Sequence, residues 1–253
     1  MSSFNVKTII SQLNNILGRT VLNDWLAYFD PKSKAYGVRA VLPSKIVVKQ
    51  KVWPQGRQLD QGKEGACVAF AWTHWLISQP KAPKYQPSTK TGYNLAMSIY
   101  RAAQKIDEWK NNTRGTSVLA AAKILQQRKY ISQYRWCFSV DDIRDAIIYL
   151  GPVVAGVRWN QYLSKPFKNG LANVYGAFSG SHAILIDAYY PKKKFGLKEY
   201  EVFRIRNSWG TGYGINGSAY ITREDLQKLL DAKGEFCVGI TKKAPIFKAN
   251  GTL

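Results

Sequence analysis

The sequence predicts an α+β protein of two lobes, a helical one followed by a strand-rich one, with a cleft between them. Three observations carry this. Long apolar segments with helical spacing fill the chain up to about residue 150. After Gly151-Pro152 the pattern changes to short apolar runs, several of them separated by glycine turns. The side chains with the most distinctive chemistry divide between these parts: Cys67 lies in the first, His182 and Asn207 in the second.

In residues 4–29, Val6, Ile10, Leu13, Leu17, Val21 and Trp25 recur near helical spacing, with Asn, Gln and Ser between them. This predicts an amphipathic helix or a broken pair within residues 1–30, ending before Asp30-Pro31. Packing on its own domain and docking to a protein partner are equally consistent with that pattern. Residues 31–58 intersperse Lys, Pro and Gly among Val and Ile, and read as an extended segment wrapping the surface. The main domain follows over 59–245, helical over about 59–150 and strand-rich over about 151–245, with a tail at 246–253.

From Cys67 to about Ser78 the chain is too apolar and too long for a turn, and reads as a buried helix. Pro80, Pro83 and Pro87 then impose a loop. Helices are predicted over 93–110 and 117–129. Ser139, followed by Asp141 and Asp142, is a good N-cap with acids in the first turn, for a helix running to Leu150. Strands are predicted over 153–157, 182–190, 200–207 and 218–222.

The chemistry gathers in three short segments. Gly62 and Gly65 free the backbone just before Cys67, which is predicted at a helix N-terminus. The macrodipole and the unpaired N–H groups there favour a thiolate. The chain has two histidines. His74 is seven residues along the same helix, about 10 Å along the axis, and reads as a structural, partly buried ring. His182 opens an apolar strand and needs a polar partner, so elimination leaves it as the base. Alternation in 200–207 sets Phe203, Ile205 and Asn207 on one face and Arg204 and Arg206 on the other. The Asn207 carbonyl could orient His182, and Trp209 could shield that bond from water. Gln61 supplies an amide N–H which, with the Cys67 N–H, could hold an oxyanion. Taken singly, each of these residues has a plainer reading: a core cysteine, a turn asparagine, a loop glutamine.

Together, Gln61, Gly62, Gly65, Cys67, Phe70, Ala71, then His182-Ala183, then Asn207-Ser208-Trp209-Gly210 resemble the papain-like cysteine proteases, over about residues 55–240. The glycine-rich run 212–220 resembles the family's stretch after Asn-Ser-Trp. The resemblance implies a papain-like two-lobed fold with a barrel-like second lobe. It implies Cys67 as nucleophile, His182 as acid and base, Asn207 as orienter and Gln61 as oxyanion donor, acting on a peptide or protein substrate without a cofactor. Gly115-Thr116 resembles the glycine stretch that pairs with substrate backbone, with Thr116 in place of a second glycine. Ser181 and Trp209 would also line the substrate site. Ala66 and Val68 flank the nucleophile where Ser and Trp are common, and the bracketing cysteine pair is missing. The sequence also resembles compact papain-like proteins of bacteria and tailed phages. A virion- or complex-associated structural role, and deamidation or transpeptidation on the same triad, stand as alternatives to peptide hydrolysis.

Composition bounds the rest. The net charge is +21, spread as +6, +7 and +8 over residues 1–60, 61–150 and 151–253. Such a field favours non-specific contact with polyanions, but no nucleic-acid reading module is apparent. Lys192, Lys193, Lys194 and Lys198 cluster at a predicted hairpin tip. No run spans a membrane, no metal-ligand spacing is seen, and no signal-peptide pattern opens the chain. The expected setting is therefore the cytoplasm, or alternatively a virion. Cys137 and Cys237 could bridge, but reduced thiols are expected.

Overall fold

The computed structural model describes residues 31–241 apart from 79, 82–85 and 108–113. The amphipathic segment 4–29 and the tail 246–253 lie outside the described residues.

Residues 31–58 are not uniformly extended. Pro31–Tyr36 and Val38–Val41 are 3-10 turns, and Val38 is buried in the core. Beyond them the chain runs as an open strap with one short strand, β1 (Lys51–Val52). The correction has a local cause: 31–41 packs on the main domain through Val38 and the Arg39 ion pairs with Asp142 and Asp145, at 2.5 and 2.8 Å.

Three helices form the first layer: α1 (Cys67–Ile77), α2 (Thr89–Ile106) and α3 (Val118–Gln127). Every residue of α1 is buried, and Thr73 and His74 interrupt its otherwise apolar surface. It packs on α2, on α3 and on the sheet. Ser88 and Ser117 cap α2 and α3, accepting from the N–H of Thr91 and Ala120. α2 starts earlier than the predicted 93 and ends at Ile106.

The remaining elements are β2 (Gln133–Trp136), α4 (Val140–Tyr149), β3 (Val153–Asn160), a one-turn α5 (Gln161–Ser164), β4 (Phe178–Phe195), β5 (Lys198–Arg206), β6 (Ser218–Thr222), α6 (Arg223–Asp231) and β7 (Glu235–Ile240). The strands form one antiparallel sheet, ordered β2-β7-β3-β4-β5-β6, with β1 added to β4. Val154, Ala183, Leu185 and Cys237 join the core around α1. Val153, Ala155, Ile184, Ile186 and Val238 join a second core with α4 and α6. This alternation buries both faces of the central strands.

The predicted lobe boundary near residue 150 is corrected by this packing. α4 packs with the sheet, and β2 is an outer strand of it. The helical layer therefore ends near Arg128, before β2. β4 and β5 extend beyond the predicted strands into a hairpin whose tip is Gly196-Leu197. There Lys193 sits over the Tyr190 and Tyr220 rings, at 4.9 and 4.7 Å. Cys67, Cys137 and Cys237 are buried and none forms a disulfide. Burial pushes the pKa values of Cys137 and Cys237 up.

One buried cation joins the layers. Arg206 ends β5 and is 1% exposed. Its guanidinium donates to Gln58 Oε1 (3.0 Å), Ser78 Oγ (3.1 Å), Gly56 O and Arg57 O (both 2.7 Å). Burial pulls its pKa down to about 10, against the favourable field of Asp187. Replacing Arg206 by Met would remove the donor from four acceptors under the strap, of which Ser78 Oγ keeps the Gly56 N–H. The expected loss is about 3–5 kcal/mol in urea unfolding, with Arg206→Lys intermediate. A loss below about 1 kcal/mol in the Met variant would show that the strap does not depend on this cation.

Candidate active site

Cys67 is the first residue of α1 and is buried. α1 packs on β3 and β4, and Ala183, next to His182, shares its core. The turn before it needs its glycine: Gly62 has φ +61°, and a Cβ there would meet open space, so the demand is conformational. Gly62 N–H donates to Asp60 Oδ1 at 2.9 Å.

Gln61 is 1% exposed and held at three points. Its backbone N–H donates to Ser208 O (2.8 Å), its Oε1 accepts from Ser208 Oγ (2.5 Å), and its Nε2 donates to Glu64 O (2.7 Å). The side chain is thereby fixed between the nucleophile turn and the residue after Asn207. Nε2 carries two hydrogens, and Glu64 O takes one of them.

The protonation state around His182 can be read from its neighbours. Asn207 Oδ1 accepts the Ser208 N–H at 2.8 Å, so that atom is the amide oxygen. It also lies 2.7 Å from His182 Nε2, which must therefore donate. The neutral ring then has its lone pair on Nδ1, which is buried and meets no hydrogen-bond partner among the described residues. Asn207 O accepts from Gln58 Nε2 at 2.6 Å, and its N–H donates to Gly217 O at 2.9 Å. Gln58 thus spans Asn207 and Arg206.

Two indoles enclose the pair. Trp209 lies 4.9 Å from the His182 ring at 35°, and Trp159 lies 4.8 Å away at 72°. Trp159 is anchored through Nε1 to Ser164 Oγ at 2.9 Å. This casing is a desolvating one, and it pushes the His182 pKa down to about 4 despite the opposing bond to Asn207. His74 is fully buried, more so than the sequence suggests. Its Nε2 accepts the Leu59 N–H at 3.1 Å, and burial, then the Arg206 charge, lower its pKa.

Gly115, at φ +92°, donates its N–H to the Tyr100 hydroxyl. The Thr116 hydroxyl donates to Asp107, which also accepts from Ser117 N–H and Oγ at 3.0 and 2.7 Å. Thr116 is buried, its side chain engaged inward. Arg114 Nη2 reaches Lys63 O at 3.1 Å, tying this segment to the nucleophile turn. Ser181 is partly exposed on β4, beside His182. Gln61, Ser208, Asn207, His182 and Trp209 are thus joined by hydrogen bonds and ring contacts, and Cys67 opens the helix that packs on β3 and β4. Gly115 and Thr116 sit on the helical side and Ser181 on the sheet side.

Ser208, Gln58 and Trp159 escaped the sequence reading. Ser208 is within the recognised Asn-Ser-Trp-Gly run, and its hydroxyl was the available signal. Trp159 lies two residues past the predicted strand end. Gln58 has no periodicity to mark it. Among the described residues, no cluster of His, Cys, Asp or Glu could hold a metal. No helix there is long and apolar enough to cross a membrane.

The comparisons agree with this architecture. The model of the papain family cysteine proteases matches residues 57–234. Xylellain, a cysteine protease from Xylella fastidiosa, is similar in structure with TM-score 0.58 and 18% identity, covering 88% of this chain and 97% of that one. Digestive procathepsin L 3 from the larval midgut of Tenebrio molitor gives TM-score 0.61 and 14% identity, over 94% and 79% of the chains. Bromelain from Ananas comosus, solved with the E64 inhibitor, gives 0.55 and 17%, over 74% and 94%. No curated protein sequence matches.

The buried neutral rings predict a pH dependence of stability in Cys67→Ala, where no thiolate can charge His182. The unfolded ring titrates near its ordinary 6.5 and the folded one near about 4. The contribution is complete above about 6.5, falls as the unfolded state alone takes the proton, and is gone below about 4. From pH 7 to 5 this amounts to about 2 kcal/mol from His182. His74 adds in the same direction. Urea midpoints should fall over that range, and less steeply when His182→Gln is added. An equal slope in the two proteins would contradict the assignment.

Proposed function

Because the chain belongs to the papain family of cysteine proteases, we propose that it hydrolyses peptide bonds through an acyl-enzyme on Cys67. The observation that carries this reading is the His182 tautomer. A ring whose Nε2–H is committed to Asn207 offers Nδ1 as a proton acceptor.

The steps follow from the groups in place. His182 Nδ1 takes the proton of Cys67 Sγ, and the thiolate attacks the substrate carbonyl carbon. In so buried a ring the imidazolium is stabilised chiefly by the thiolate beside it, so the two charges arise together. The carbonyl oxygen becomes an oxyanion, held by the second Nε2 hydrogen of Gln61 and the Cys67 N–H. Collapse breaks the C–N bond as His182 gives its proton to the leaving amine. Water, deprotonated by His182, then attacks the thioester, and Sγ leaves with the acid product released. Asn207 keeps the ring in one tautomer throughout, and Trp209 and Trp159 keep bulk water from that hydrogen bond. On the substrate side, the segment at Gly115 and Thr116 is assigned to backbone pairing with the peptide by resemblance alone, since the Gly115 N–H and C=O already bond Tyr100 and Gln104. The Thr116 side chain stays out of the way because Asp107 holds it.

Two measurements test this. A thiol-directed epoxide peptidase inhibitor should add one adduct at neutral pH under reducing conditions and none to Cys67→Ala. Absence of any adduct on the parent protein would sink the reading. Mass analysis of a peptide library should then show backbone cleavage; side-chain deamidation with intact backbones would instead favour a related acyl transfer. Gln61→Glu keeps the acceptor from Ser208 but places a negative charge at the oxyanion. It should lower kcat by about 10²-fold or more, with KM little changed. An unaltered kcat would remove Gln61 from the mechanism.

A further inference from the structure

Around His182 the sheet has a one-sided charge that the catalytic steps do not use. No Asp or Glu occurs in residues 151–186 or 207–222. Those stretches hold β3, the first part of β4, the turn after Asn207 and β6; from the strap, Asp60 comes up to Trp209.

Arg158 lies within this region. It is exposed, and no carboxylate pairs with it among the described residues. Its position follows from the ladder. Arg158 faces Ser181, and Val157 faces His182. Ladder partners emerge on one face and the next pair on the other. Val154 on β3, and Ala183 and Leu185 on β4, point into the core of α1. Arg158 and Ser181 continue those rows past the end of that core. The only register shift in this ladder comes later, between Trp159 and Asn160. Arg158 therefore projects from the face that carries the α1 core, one ladder position from the Val157–His182 pair, whose side chains leave the other face.

Its side chain is also oriented. The guanidinium carbon lies 4.6 Å over the ring of Phe178, which is itself 45% exposed. This cation–π contact holds the guanidinium at one place, and its N–H donors can grip a carboxylate in bidentate fashion. His182 must reach the leaving amine to protonate it, which brings that amine near the end of β4 where Ser181 and Arg158 pair.

We propose that Arg158, stacked on Phe178, is a specificity-determining residue that binds a substrate carboxylate just after the scissile bond. This rests on the peptidase reading. The carboxylate can come from an Asp or Glu side chain or from a free C-terminus close to the cut.

The test uses the full chain and quenched fluorescent peptides that are identical before the scissile bond. After it they carry Glu, Gln or Lys at the first two positions, each with a free or amidated C-terminus. Glu peptides should exceed Gln peptides in kcat/KM by about fivefold to tenfold at low salt, with Lys peptides below both. Arg158→Gln should bring the Glu/Gln ratio close to one, Arg158→Glu should invert it, and Arg158→Lys should restore part of it. A preference that follows Glu identifies the side-chain source; one lost on amidation identifies the terminus. Equal rates for all peptides, or a preference that survives Arg158→Gln, would overturn the proposal. Binding to Cys67→Ala by calorimetry needs no turnover. The Glu peptide should bind more tightly than the Gln peptide, and the gap should close in Cys67→Ala/Arg158→Gln. That gap without cleavage by the parent protein would retain the carboxylate site and reject the peptidase reading. Cleavage with no gap would do the reverse.

Discussion

The site depends first on one buried guanidinium. Arg206 precedes Asn207 in sequence, so whatever fixes Arg206 fixes the start of the segment that orients His182. Its donors reach the strap at Gly56 and Arg57, the side chain of Gln58, and Ser78 at the C-cap of the helix that begins with Cys67. The strap in turn leads to Gln61, and its Leu59 N–H is taken by His74 of the same helix. Nucleophile helix, oxyanion strap and orienting strand are thus referenced to a single cation. A charge so buried has a large desolvation penalty, visible in its lowered pKa. Four hydrogen bonds and the field of Asp187 offset that penalty. Asp187 is itself held by Arg204 at 2.6 Å and Gln55 at 2.7 Å. The opposing acid is therefore shared across the same strap-and-sheet junction.

The second constraint is the dryness around His182. Two indoles exclude water from a 2.7 Å hydrogen bond, and in a low-dielectric setting that bond is strengthened. The same dryness disfavours an isolated imidazolium. The two effects act on different properties of one ring. The hydrogen bond decides which nitrogen bears the proton, and burial decides that the second proton is accepted only with a compensating anion nearby. A ring in water would have neither its tautomer nor its charge under such control. Ser208 extends this control to Gln61 by bonding its carbonyl oxygen, so one short Asn-Ser pair orients both the base and the oxyanion amide.

The residue types and their order made the centre of the site legible. Cys67 after two glycines, His182 at the start of an apolar run and Asn207 on an apolar strand face each carry a local signal, and the alternation in 200–207 matches the core placement of Phe203 and Ile205. The supports were harder to read because their partners are distant in sequence. Arg206 falls on the strand face opposite Asn207, and nothing local says that residues 56–58 will bury it. β2 and β7 pair across a hundred residues, and the layer to which α4 belongs depends on that pairing. α6 did have signals, Thr222 as N-cap and two acids in its first turn, but it directly follows a strand without an intervening turn, which hid its start. Trp159 was lost for a similar reason: β3 continues to Asn160 on residues that alternate less clearly.

Arg206 and Arg158 show how one residue type takes opposite uses in one sheet. Arg206 has its donors saturated by neutral acceptors and is closed to solvent, so its charge acts as a fixed part of the scaffold. Arg158 lies over the Phe178 ring and is exposed, so its charge is poised for a ligand. The net charge of +21 acts on neither directly. It raises the local concentration of any anion, and salt screens it over about 8 Å at physiological ionic strength. Discrimination between substrates needs an oriented cation within contact distance. The absence of acids from the surrounding strands matters because a neighbouring carboxylate would occupy that edge intramolecularly. The acids of this chain instead cluster where they neutralise structural arginines, at Asp141, Asp142 and Asp145 on α4 and at Asp187 beneath the strap. Charge is satisfied where the fold is held, by acids or by neutral acceptors, and left open at Arg158, and that division is what the proposed selective rim requires of a uniformly basic chain.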